Sequence, residues 1–388
     1  MSISEDLERI LNNVKEYFFT GINSDSSKNK KNLCKQLCLE IEPQKEITLY
    51  HEYTALCAIL AIKNEKIEKW LNNHFIPIYS SYDKSKNDYT ITYCEVHDVM
   101  DEILDYQYFF HDTVLSIRDI IHYIKLNISK GNYIRMYFDW YYLPGHDAYQ
   151  RYHLVHATFI YGYNDDEEKI YGVGYLNGAS MDLMTFSYEE IRHSFFSAQL
   201  LYNLTEEDFN DYIELFSVKE NIDVKFDENK FLFDLISYLA SDGSAYDNLP
   251  KLYWIPKGHH YGQDAFIRLT ELLDIKYENA SNRKYHNFHI LWEQRKNIYN
   301  RLIYYRENYI NSNEISLEID FLLEGYKIIV DECNKIRMSF LKLTISGQIR
   351  KDTSNYIRLS NRIKNILSEE HELLVNICNR LTNFMSRT

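Results

Sequence analysis

"FDWYYLPGHDAYQRYHLVHATFIYGYNDDEEKIYGVGYLNG", residues 138–178, decides the fold class. Its aromatic opening, within the longer run "NYIRMYFDWYYL", predicts a strand closed by Pro144–Gly145, because proline and glycine punctuate a chain at turns. "HATFIYGYN" and "KIYGVGYLN" are two further β-rich runs joined by the acidic tetrapeptide "DDEE". Two such runs with so short a polar connection predict neighbouring antiparallel strands. Two histidines, His146 and His153, fall between the first strand and the second, which His156 begins.

Working outward, "MDLMTF" adds another strand, and "SYEEIRHSFF" predicts a helix capped by Ser187 with Glu190 at its third position. "DYTITYCEV" alternates and is rich in β-branched residues, so residues 88–186 predict one antiparallel sheet. A helix over 113–130 interrupts it and stops at Gly131. Upstream, residues 3–19 predict an amphipathic helix, residues 33–42 a short helix or turn, and "TLYHEYTALCAILAIKN" (48–64) a strand running into a helix over 54–72. Downstream of about residue 215 the pattern is helical, with helices predicted at 228–240, 263–274, 286–307, 313–345 and 354–384. The fold class is therefore α+β followed by an all-α C-terminal helical region.

Composition agrees. A chain of 388 residues with 45% hydrophobic residues can bury a large core, and only 12 Gly and 5 Pro favour long helices over a many-turned β architecture. A formal net charge of −14 argues against nucleic acid as a partner. The six cysteines show no CxxC pair and no zinc spacing, and no metal or other cofactor is expected. The N-terminal stretch lacks the succession of a signal peptide, and no apolar run reaches membrane-spanning length. The expectation is a cytoplasmic protein that does not enter a membrane.

The pattern "YLPxHxxYxxxHxxHxxxxYGYNDDxxxIY…YxNG" resembles proteins related to the N-terminal domain of butirosin biosynthesis protein H. The likeness continues in "YGQDAFIRLTELL" (261–273) and "IRMSFLKL" (336–343), and so covers roughly residues 46–388. It implies a papain-like cysteine-peptidase fold over 46–215, preceded by a helical extension (1–45) and followed by a helical connection (216–280) and a C-terminal bundle (281–388). It also implies a role in natural-product or nonribosomal peptide biosynthesis. The activity implied is acyl or aminoacyl transfer, or cleavage of a thioester or amide, on carrier-bound intermediates. An acyl or peptidyl carrier protein, or a partner enzyme of the pathway, would be the partner.

By that resemblance His156 occupies the position of the base histidine, directly before "ATFIYGY". The nucleophile's position at the start of the first helix holds His51 rather than a cysteine, and the position of the orienting aspartate holds Gly174. Cys57 lies six residues beyond His51, too far into the helix to feel its positive end, and reads as a small buried hydrophobe. The catalytic candidates are thus His156, His51 and Cys57. The alternative function is a catalytically degenerate homologue that binds a carrier protein, a peptide or a partner enzyme in the inherited cleft.

Overall fold

A computed structural model describes residues 34–41, 65–83, 88–94, 102–109, 114, 116–176, 180–204, 213–243, 260–274, 284–310, 313–348, 352 and 354–386. The fold is mixed α+β, with antiparallel sheets and a C-terminal helical region. The chain divides into two units, one of residues 1–43 and 104–219, the other of 44–103 and 220–388.

The first unit is built on an antiparallel sheet of order β4-β9-β5-β6-β7-β8, where β4 is Leu104–Phe109, β5 Tyr133–Asp139, β6 Val155–Asn164, β7 Lys169–Leu176, β8 Ser180–Ser187 and β9 Ile213–Val218. The turn "DDEE" joins β6 to β7 as expected, and Asn164 Oδ1 accepts from the amides of Asp166 and Glu167 to hold it. A short strand β1, Gln36–Cys38, pairs with the far end of β6. Residues 33–42 were expected to form a helix or turn. A three-residue strand has no periodicity of its own to read, and edge pairing creates it.

Two helices cover one face of the sheet. The first, α2 (Ile120–Ile128), starts where the Asp119 carboxylate caps the amide of His122, later than the 113–130 pattern suggests, and Gly131 follows its end at φ +84°. The second, α3 (Tyr188–Leu204), opens with a reciprocal capping box: Ser187 Oγ accepts from the amide of Glu190, and Glu190 Oε2 accepts from the amide of Ser187. Ile120, Ile124, Ile134, Met136, Phe138, Ile160, Ile191 and Phe195 form the core between helices and sheet. The core-facing residues of β5 alternate with Tyr133, Arg135 and Tyr137, and Arg135 forms a buried ion pair with Glu214 directly across on β9.

The second unit combines α1 (Glu65–Asn72) and the hairpin β2–β3 (Ile78–Asp83 and Asp88–Tyr93) with five helices. These are α4 (Glu228–Ala240), α5 (Gly262–Asp274), α6 (Lys284–Tyr309), α7 (Asn313–Ile345) and α8 (Ser354–Met385). "DYTITY" was expected in the one large sheet; it pairs only within this separate hairpin, because the alternation that marks a strand does not name its partner. Among the described residues no helix is long and apolar enough to cross a membrane.

Candidate functional site

The residues at the end of β5 and the start of β6 hold the most organised polar groups of the sheet unit. Asp139 ends β5 opposite Val155, and the intervening residues 140–154 fold back through tight turns. The Asp139 side chain is fully buried. Its Oδ1 accepts from the amides of Tyr141 (3.1 Å) and Leu154 (3.2 Å). Its Oδ2 meets His153 Nδ1 at 2.6 Å and Ser197 Oγ of α3 at 2.7 Å. A buried carboxylate with this many donors is satisfied as an anion.

The consequence falls on His153. With a carboxylate as partner, Nδ1 carries the proton and Nε2 faces away from the carboxylate. The side chain is one-third exposed at 33%. Its ring stacks on Tyr141, centroids 4.5 Å apart, and the Tyr142 ring lies 6.3 Å from it and 5.8 Å from His193. The hydrogen bond that His153 donates to Asp139 raises the His153 pKa above its ordinary value, against the lowering effect of burial. Burial, then the charge of Asp139, pushes the Tyr142 phenol up.

Trp140 organises a second, adjoining group. Its indole Nε1 donates to the carbonyl of His156 at 3.2 Å, and its ring contacts His146 at 4.6 Å and His156 at 6.3 Å. The amide of Ala148 donates to His146 Nδ1, and burial lowers the pKa of that imidazole against the raising effect of the Asp147 carboxylate, whose Oδ1 lies 2.9 Å from Nδ1. The indole also covers Gly174 of β7. A Cβ there would stand 2.6 Å from Trp140 Cη2 and 2.7 Å from Met184 Sδ. A side chain at this position would have to displace the indole and the Met184 thioether, so no carboxylate-bearing side chain fits with the ring where it stands.

His156 itself lies on β6, opposite Phe138 of β5, with its side chain exposed. Its Nδ1 is 3.1 Å from the carbonyl of Ala157. His51 and Cys57 lie outside the described residues. Among the described residues no group of three His, Cys, Asp or Glu side chains gathers to hold a metal ion.

The arrangement can do two things. It can present an aromatic and imidazole surface, Tyr141, Tyr142, His146, His153 and His156, backed by the buried Trp140, to a ligand. It can also move a proton at His153 Nε2, with Asp139 fixing the tautomer. Sequence reasoning missed the Asp139–His153 pair because "YFDWYYL" reads as a core strand. The signal present was a lone carboxylate inside an aromatic run, a position it holds only if donors meet it.

Residues 229–387, less than half of the chain, match the model of a family described as proteins of unknown function (DUF2813). No curated protein matches.

Proposed function

We propose that the chain is a papain-like protein of the kind found in relatives of butirosin biosynthesis protein H, and that it binds rather than reacts. The ligand is a carrier-bound acyl or peptidyl intermediate of a natural-product pathway, presented by its carrier protein. The cleft is the surface around His156. One observation carries this reading: Trp140 fills the space above Gly174, where a papain-like enzyme would place the acid that orients its base.

A second reading keeps chemistry, as acyl transfer or thioester cleavage. The Asp139–His153 pair favours it, since a carboxylate-held imidazole with an outward Nε2 is equipped as a general base. Incubation with an acyl-loaded carrier protein and an amine acceptor tests both. The expected result is saturable binding without release of the carrier thiol. Turnover abolished by His156→Ala would overturn the binding reading. Turnover that survives His156→Ala and is lost in His153→Gln would establish the second.

A further inference from the structure

The outer face of α7 carries an apolar stripe that its own unit does not use. Ile319, Leu323, Tyr326, Ile329, Val330, Cys333, Ile336 and Phe340 are already buried on the inner side. On the outer side Leu317, Phe321, Ile328, Met338 and Ile345 are exposed, from 49% at Met338 to 79% at Ile345. Single exposed apolar residues are ordinary, but five along one stripe of one helix are not.

Their spacing is that of a coiled-coil seam. Steps of three and four residues from Leu317 reach Phe321, Glu324, Ile328, Asp331, Lys335, Met338, Lys342 and Ile345 in turn. The four charged members of this seam are also exposed, and they run acid, acid, base, base from the N-terminal to the C-terminal end. Lys335 additionally meets Glu332 of its own helix at 2.7 Å while staying 66% exposed.

This order is self-complementary in one orientation only. Laying a second α7 antiparallel, with Phe321 against Ile345, brings Glu324 against Lys342, Ile328 against Met338 and Asp331 against Lys335, and the two-fold axis repeats each pair. A parallel pairing in register would set each charge against its own copy, which is repulsive. A lipid surface fits poorly, because the charges lie inside the apolar stripe instead of on the opposite face.

We infer that α7 is a homodimerisation element, and that its partner is α7 of a second copy, antiparallel, in the register just given. The inference is independent of the proposed function. The apolar layers supply the affinity; the charged layers cost some of it and fix orientation and register.

Sedimentation velocity on the full chain between about 1 and 100 μM, spanning the affinity range of a modest interface, reads the association. The expected result is a concentration-dependent dimer. Phe321→Glu with Ile328→Glu is expected to give a monomer with unchanged far-UV circular dichroism. Asp331→Lys alone and Lys335→Asp alone should each weaken self-association about tenfold or more, the loss expected when like charges face each other. An equimolar mixture of those two variants should restore the dimer, because each supplies the charge the other lacks. A wild-type monomer throughout the range would overturn the inference. So would a dimer untouched by the double glutamate variant, or binding of the stripe to anionic vesicles in place of self-association.

Discussion

Asp139 ends a strand of aromatic and aliphatic residues, and its carboxylate joins β5, the following loop, the start of β6 and α3. That makes it both a structural keystone and the determinant of the His153 tautomer. The His153 pKa is raised, chiefly by its hydrogen bond to Asp139. A raised histidine contributes stability that is full below its unfolded value of about 6.5 and is lost as pH rises through the folded value. The wild type should therefore exceed His153→Gln in urea midpoint by more at about pH 6 than at about pH 8.5. Tyr142 and His193 stand nearby, so Tyr142→Phe in both backgrounds isolates the His153 contribution. Equal gaps at the two pH values would show that the hydrogen bond gives no differential stabilisation of the imidazolium. The sequence set His153 in the connection ahead of the strand that His156 begins. In the structure His153 lies just before β6, tied to the end of β5, and that long-range tie has no local signature.

Elements with a strong period of their own were legible. α6, α7 and α8 lie where the helical pattern set them, and β6, the acidic turn and β7 follow directly from the opening stretch. β4 and β9, "LDYQYF" and "IELFSV", were not read, because short mixed runs become strands only through each other and β5. α6 is the instructive helix. It is legible by its length, yet its buried residues include Asn287, Glu293, Gln294, Arg295, Asn297 and Arg301. Binary patterning would set such residues outside; each instead has a particular partner. Asn287 Oδ1 accepts from the amide of Ile91 at 2.9 Å and its Nδ2 donates to the carbonyl of Tyr89 at 2.7 Å, so one amide extends the hydrogen bonding of β3. Gln294 donates to the carbonyl of Ile76 and Arg301 to that of Leu71. Asn287→Ala would leave a buried strand amide and carbonyl unpaired, and should cost about 2–4 kcal/mol, one to two unsatisfied groups. Asn287→Asp keeps the acceptor and loses the donor. Chemical denaturation should rank wild type above Asp and Asp above Ala; equal Asp and Ala midpoints would show that the Ile91 amide does not depend on this side chain.

At the scale of the whole molecule the chain leaves the sheet unit after residue 43, returns at 104 and leaves again after 219. The texture of the sequence changes from mixed to helical near residue 215, but nothing in it marks the return at 104, since hairpin and sheet strands share the same texture. The consequence is that the C-terminal helices are not a self-sufficient fragment. Tyr89, Ile91, Tyr93, Ile76 and Ile78 are buried in their unit, and Asn287, Gln294, Asn297 and Arg301 of α6 have hydrogen-bond partners on that segment. Residues 220–388 alone would keep the fully buried Arg295–Glu370 pair, in which Glu370 also accepts from Tyr238, Gln263 and Tyr326. They would expose the side of α6 that faces β3, together with the apolar residues beside it. A domain's net stability is only about 5–15 kcal/mol, comparable to the burial lost with a hairpin and a helix. The fragment 220–388 should therefore be helical by far-UV circular dichroism but melt broadly, without a cooperative transition. Supplying residues 44–103, fused through a flexible linker or added as a separate chain, should restore a sharp melt. A cooperative transition in 220–388 alone, at the temperature seen for the fused form, would show that the helices need neither the hairpin nor α1, and that the polar face of α6 is satisfied by water as well as by β3.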